Sequence, residues 1–381
     1  MKFETKCVQG AKDKTNTTGA VAVPIYQSAT FSHLGVNQST GYDYSRLQNP
    51  TREALESIIA KLENGFDAMA FSTGMAAISA LMELFSIGDH IMVSTDLYGG
   101  SIRLFNNISR KNGLEIEYIN TADINKVKCS IKKNTKAIFI ETPTNPMMHV
   151  TDISAVKDAV GNQDILIIVD NTFLTPYYQQ PLSLGADIVI HSGTKYLSGH
   201  NDTLAGFIIV SNQELSERLR FIYKTIGPCL SPFDSFLVIR GIKTLAIRMD
   251  KSQENAKAVA NWLLTQRKVK AVHYIGLDTH PDIETTKKQS TGFGSMISFE
   301  VESEKIAHQI LENVKLIMFA ESLGGVETLI TYPALQTHAD IPKDERDLRG
   351  ITDRLLRISV GIENSNDIIE DLKQAMQLQL R

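Results

Sequence analysis

Four short stretches place acid, amide, hydroxyl and ammonium side chains directly after apolar runs. They are Ser72-Thr73-Gly74, Glu141-Thr142-Pro143-Thr144-Asn145-Pro146, Asp170-Asn171-Thr172 and His191-Ser192-Gly193-Thr194-Lys195. Ser72-Thr73-Gly74 leads into an apolar helical stretch. Backbone N–H groups at a helix start, with a glycine that permits close approach, make an anion cradle; an ordinary strand-to-helix turn reads equally well. Asp170 is either a helix cap or solvated loop acid, or a carboxylate held at low dielectric to pair with a cation. Lys195 on the plain reading is a snorkelling surface residue. Flanked by the hydroxyls of Ser192 and Thr194 and opposite an acid, it suits Schiff-base chemistry. The amine would reach a carbonyl, the hydroxyls would hold an anion, and the Asp would keep a heteroaromatic nitrogen protonated.

Other chemistries fit less well. Ala70-Phe71-Ser72-Thr73-Gly74 nearly matches a hydrolase nucleophile elbow, but Ala70 replaces its first glycine and His338 is the only tempting base. There is no phosphate-binding GxxxxGK[ST] loop. Gly292 to Gly294 leads into a strand and lacks the third glycine of a dinucleotide fingerprint. No HExxH or Cys/His constellation offers a metal site. His191 and His200 read as hydrogen-bonded structural residues.

In an open parallel sheet, ligands bind beyond the carboxyl ends of the strands, so the polar stretches require such a sheet. The sequence supplies one. Apolar runs at 68–71, 90–94, 136–141, 165–170, 187–191 and 204–210 read as buried strands. Helical spacing at 75–85 and 100–111 separates the early ones, and Asn49-Pro50 starts a helix as N-cap and N1. This predicts an α/β architecture with a mostly parallel central sheet. A boundary falls near Gly227-Pro228 to Pro232. Beyond it, Phe233 to about Gln266 reads as one long helix. A smaller α+β unit follows, with strands at 295–301 and 355–360 and helices at 306–314 and 368–378. The first 48 residues show little periodicity, with loops at Thr15–Gly19 and Gly35–Gly41; so long an irregular arm suits wrapping a partner. The expected parts are therefore an arm (1–48), a larger domain (49–232) and a smaller C-terminal domain (233–381).

The chain has 381 residues and a net charge of −4, so it has no surplus positive charge with which to grip nucleic acid. Its three cysteines, Cys7, Cys129 and Cys229, lie far apart, which fits a reducing cytoplasm. The N-terminus lacks the apolar region of a signal peptide. No apolar run approaches the ~20 residues of a membrane span, so neither membrane nor nucleic-acid partners are expected.

Taken together and in order, the motifs resemble the Cys/Met-metabolism, or trans-sulfuration, family of pyridoxal 5'-phosphate (PLP) enzymes, of the aspartate-aminotransferase-like fold type I. The matching stretches are Tyr42-Asp43-Tyr44-Ser45-Arg46, Ser72-Thr73-Gly74-Met75, Asp96-Leu97-Tyr98-Gly99-Gly100 and Glu141 to Pro146. They continue through Val169-Asp170-Asn171-Thr172, His191 to Tyr196, Glu321-Ser322-Leu323-Gly324-Gly325 and Arg357-Ile358-Ser359-Val360-Gly361. The resemblance implies that Lys195 carries the cofactor and shuttles protons. Asp170 would pair with the pyridine nitrogen, and Tyr98 would stack on the ring. The phosphate would be held by Gly74, Met75, Ser192 and Thr194, and by Tyr44 and Arg46 from a neighbouring subunit. A homotetramer, a dimer of dimers with shared active sites, is implied. Arg357 would take the substrate α-carboxylate, helped by Ser322 and Asn145. Its place inside Leu355 to Val360 supports this, since an unpaired charge in an apolar strand is costly.

The family diverges after loss of the Cα proton. Methionine γ-lyases typically carry Cys where Gly100 stands here, which counts against that activity. The Glu321-to-Gly325 stretch resembles that of cystathionine γ-synthases and γ-lyases, and the following 330–342 segment is most similar to cystathionine γ-synthases and O-acylhomoserine thiol-lyases. The expected reaction on small amino-acid substrates is γ-replacement on an O-acyl-homoserine with cysteine, with Glu321 near the distal ammonium. The alternative is a lyase that cleaves cystathionine. A catalytically silent assembly protein of the same fold is a further alternative, which the filled catalytic positions disfavour.

Overall fold

The computed structural model describes residues 1–10 and 18–377. Seven strands make the larger sheet: β1 (Asp67–Phe71), β2 (His90–Ser94), β3 (Glu115–Ile119), β4 (Thr135–Glu141), β5 (Leu166–Asp170), β6 (Ile188–Ser192) and β7 (Gly206–Val210). Their order is β1-β7-β6-β5-β4-β2-β3. Every pairing is parallel except those of β7, which runs antiparallel to both β1 and β6. The sheet is thus mostly parallel, as its unbroken apolar runs require. Strand alternation sends Ile138, Ile140, Ile167 and Val169 into one core cluster and Ala137, Phe139 and Ile168 into another on the opposite face. Edge strand β3 lies outside the predicted elements. Its Glu-Ile-Glu-Tyr-Ile sequence is half exposed, which dilutes the apolar run.

The local signals behind the cradle act as expected. Asn49 caps the helix Pro50–Leu62, accepting from the Thr51 and Arg52 amides at 3.0 and 3.4 Å. Thr73 caps the helix Gly74–Met82, its Oγ1 accepting from Ala76 N at 2.9 Å. The antiparallel β7 abuts this second turn. A Cβ at Gly206 would lie 2.1 Å from the Thr73 carbonyl oxygen and 2.6 Å from Gly74 N. Only glycine permits that approach.

The second sheet has five strands: β8 (Val269–His273), β9 (Met296–Val301), β10 (Met318–Phe319), β11 (Leu329–Thr331) and β12 (Leu355–Ser359), in the order β10-β11-β12-β9-β8. Arg357 sits mid-sheet, in register with Thr331 of β11 and Ser298 of β9. The single long helix predicted from Phe233 is two helices, Pro232–Ile242 and Leu245–Leu264. Near the break, Gly241 presses on the backbone after Lys195, and a Cβ there would meet the Ser198 carbonyl oxygen at 2.1 Å. Arg248 then takes the Gly241 carbonyl at 2.9 Å and the Tyr196 carbonyl at 2.7 Å, seating the second helix against the lysine segment.

The N-terminal arm is irregular over much of its length but begins with an unpredicted helix, Phe3–Gln9, which buries Cys7 and packs on Pro50–Leu62. Of the loop expected at Thr15–Gly19, residues 15–17 lie outside the described residues, as does the last residue of the helix expected at 368–378. Among the described residues no helix is long and apolar enough to cross a membrane.

Candidate active site

The carboxyl ends of β4, β5 and β6 and the residues after them open into a cavity of about 430 Å³, closed from the other side by Glu321, Ser322, Leu323 and Arg357. Its lining brings together Gly74, Met75, Tyr98, Asn145, Asp170, Ser192, Thr194, Lys195, Glu321, Ser322 and Arg357. Tyr44 and Arg46 are not in it. They lie exposed on the arm, with the Arg46 guanidinium 5.6 Å over the Tyr44 ring and donating to the Lys224 carbonyl at 2.5 Å. Ser72 is exposed and away from the cavity, and the buried His338 bonds Thr337 at 2.8 Å, so no hydrolase pair forms.

Lys195 Nζ donates to Ser322 Oγ at 2.7 Å. Ser322 adopts φ = 95°, a conformation costly for a residue with a side chain. Burial, with help from the nearby positive charge of Arg357, lowers the Lys195 pKa from 10.5 to about 8, opposed by Glu321. A substantial share of neutral amine, the nucleophilic form, is therefore present near physiological pH. Asp170 uses one carboxylate oxygen, accepting from Thr172 N at 3.0 Å and Thr172 Oγ1 at 2.5 Å. Burial raises its pKa, so a cationic partner in the cavity would stabilise its charged form.

Arg357 is 1% exposed. It donates to Asn145 Oδ1 at 2.8 Å, to the Ser322 carbonyl at 3.0 Å and to Thr331 Oγ1 at 3.2 Å, while its Nε has no partner. Burial pulls its pKa down from 12.5 to about 10. No carboxylate pairs with it among the described residues, so a buried cation awaits an anion. The Tyr98 ring folds back over its own turn. A Cβ at Gly100 would lie 2.5 Å from Tyr98 Cε1 and 3.1 Å from Met75 Sδ.

The residues fit a phosphorylated, carbonyl-bearing pyridine. Helix Gly74–Met82 starts at the cavity wall, and a Cβ at Gly74 would sit 3.2 Å from Ser192 Cβ, so helix start and hydroxyl form one cradle. The Thr194 hydroxyl also donates to, and accepts from, the Ala205 backbone. His191 is structural in its contacts, bonded to Glu63 Oε1 at 2.6 Å. Glu141 and Thr172 also line the cavity, although sequence reasoning assigned them no role. Glu141 carries the same signal as Asp170, an acid closing an apolar strand, and the two stand side by side in the β4–β5 register.

Comparison with known proteins agrees with this geometry. Residues 4–377 match the family model described as Cys/Met metabolism PLP-dependent enzyme. A cystathionine beta-lyase of Lactococcus lactis subsp. cremoris (strain MG1363) is 47% identical over 98% of this chain and 99% of its own. A cystathionine gamma-synthase of Haemophilus influenzae is 48% identical over 98% and 97%. The crystal structure of cystathionine gamma-lyase from Lactobacillus plantarum complexed with L-serine superposes with a TM-score of 0.96, at 43% identity and 98% coverage of both chains. The chain belongs to the Cys/Met-metabolism family of PLP-dependent enzymes.

Proposed function

We propose that the enzyme performs γ-replacement on an O-acyl-homoserine, with cysteine as the sulfur donor, to give cystathionine. The observation that carries this reading is Glu321. It lines the cavity rim with Lys195 and Arg357, close enough that its charge opposes the fall in the pKa of each, yet takes part in no salt bridge among the described residues. It is available for the ammonium of an incoming cysteine. Bound PLP supplies an electron sink for the pair left when the substrate Cα proton departs. Arg357 holds the α-carboxylate and fixes which face of Cα meets Lys195. The Lys195 amine, oriented by Ser322 Oγ, would take that proton and go on to move protons at Cα and Cβ, while the acyl group leaves Cγ as a carboxylate and the cysteine sulfur, giving up its proton, takes its place. Asp170 keeps the pyridine nitrogen protonated. The cradle of Gly74, Met75, Ser192 and Thr194 anchors the phosphate.

Two further assignments support a shared site. Among the described residues no cation of the same chain joins Gly74, Met75, Ser192 and Thr194 in the cradle, whereas Tyr44 and Arg46 stand exposed on the arm. We therefore assign them to the cradle of a neighbouring subunit in a homotetramer, with 1–48 as the exchanging arm, 49–232 as the cofactor domain and 233–381 as the substrate-closing domain. Three free cysteines support a cytoplasmic setting.

A second reading, cleavage of cystathionine, is supported by the lyase names of relatives as similar as the synthase. One experiment separates them: incubate the holoenzyme with O-acetyl- and O-succinyl-homoserine, with and without cysteine, and with cystathionine alone. Cystathionine formed faster than it is consumed supports replacement. Rapid release of cysteine or homocysteine from cystathionine, with negligible synthesis, overturns it.

A further inference from the structure

We propose that Glu141 is a positioning residue whose carboxyl ties the backbone of Tyr98 to the backbone of Asn145 and so sets the gap in which the cofactor ring is held. Its Oε2 accepts from Tyr98 N and its Oε1 from Asn145 N, both at 3.0 Å. The two residues belong to different walls. Tyr98 lies after β2, in the turn that enters the helix Gly99–Leu104, and Asn145 lies in the loop after β4. No backbone–backbone hydrogen bond joins these two residues, so the carboxyl is the tie. It reaches further through Asn145, whose side chain accepts from Arg357. One acid therefore links the ring-stacking residue to the residue that would anchor the substrate carboxylate.

The charge arrangement suits such a tie. Glu141 is 6% exposed, and its register partner on β5 is Asp170. Two ionised carboxylates side by side in a dry site are disfavoured. Burial and the neighbouring Asp170 push the Glu141 carboxyl well up, with Asp96 adding to the effect and the two backbone donors opposing it. Glu141 spends both oxygens on the wall amides, while Asp170 bonds Thr172 through one oxygen and keeps the other for the ring's positive nitrogen. Sequence alone cannot show this, because the adjacency of β4 and β5 appears only in the fold.

The inference rests on PLP as cofactor and not on which bond the enzyme breaks, so product analysis and the following titration fail independently. Glu141→Ala and Glu141→Gln are purified, stripped of cofactor and titrated with PLP. Affinity is read by absorbance, and ring asymmetry by visible circular dichroism per bound cofactor. Val127→Ala, a fully buried change in the helix Ile124–Ser130, controls for general loosening. Glu141→Ala leaves two backbone donors unpaired, and PLP binding should weaken about tenfold or more, with a reduced dichroic signal and a raised substrate KM. Glu141→Gln, the neutral isostere, keeps one acceptor and should fall between Ala and the parent. If the Ala variant fails to fold, the Gln variant alone decides: a parent-like dichroic signal, affinity and KM overturn the proposal. Equal losses in Val127→Ala also overturn it.

Discussion

Replacing Arg357 with Lys is the sharpest test of how the cavity selects its substrate. A guanidinium has five N–H donors. Three are spent on Asn145, Ser322 and Thr331, leaving two, the Nε donor among them. At 1% exposure they are shielded from bulk water. A substrate carboxylate therefore gains charge-assisted bonds in a dry site, and truncating one side of such a contact costs about 2–5 kcal/mol. That corresponds to roughly 30- to 4,000-fold in kcat/KM at about 1.4 kcal/mol per decade. Lysine keeps the charge but not the planar fork. The assay is a cycle: kcat/KM for the parent and Arg357→Lys, each with an O-acyl-homoserine and with its α-carboxamide. The parent should lose most of that factor on the carboxamide, whereas the variant should discriminate by less than about tenfold. Discrimination that survives unchanged in the variant would refute carboxylate recognition by Arg357.

The neutral fraction of Lys195 should control cofactor uptake. Its folded pKa of about 8 lies below the ordinary 10.5. Between those values the unfolded chain binds the extra proton, so this group's contribution to apoprotein stability rises with pH across that window. PLP incorporation should accordingly reach half its maximal rate near pH 8; a midpoint near 10.5 would contradict a desolvated amine. Borohydride reduction of the holoenzyme should fix the cofactor to the peptide containing Lys195, and mass spectrometry finding it on another lysine would end that assignment. Mixing inactive Arg46→Ala with inactive Lys195→Ala after confirmed subunit exchange should restore part of the activity, because hybrid dimers regain one intact site; no recovery would indicate self-contained sites. Glu321 is exposed at the cavity rim, so Glu321→Ala should lower kcat/KM for cysteine or cystathionine by up to about fivefold, matching the ~1 kcal/mol of an exposed contact, while sparing simple thiols. Equal losses for all sulfur donors would make Glu321 structural.

Sequence revealed the residues whose chemistry contradicts their neighbourhood. Asp170 closes an apolar strand, Lys195 follows two hydroxyls, and Arg357 interrupts an apolar run. Each is anomalous locally, so each was visible without a fold. Glu141 carries the same local anomaly, but its task depends on Tyr98 and Asp170, which are distant in sequence and neighbours only through sheet order. Ser322 could be named from its motif, yet its positive φ depends on the Lys195 and Arg357 contacts that hold it. The break after Ile242 escaped for a related reason: helical spacing continues across it, and the Ser198 backbone that meets Gly241 near the break comes from a segment distant in sequence. Strands β3 and β8 are half exposed, so their apolar patterns are too dilute to separate from loops.

Gly206 bears on how this enzyme could be diversified. It lacks a side chain, lies outside the cavity lining and performs no chemistry, yet its α-carbon presses on the turn that starts the cradle. Any larger residue must push β7 away from that turn, and β7 is hydrogen-bonded on both flanks, to β1 and β6. Displacement would carry Ser192 with it, since Ser192 is the β6 partner of Gly206. A variant library aimed at new substrates therefore has one forbidden position beside a permissive one. Leu204, two residues earlier, lines the cavity and is 59% exposed, so changes there reach the cavity without pressing on the turn as a change at Gly206 does.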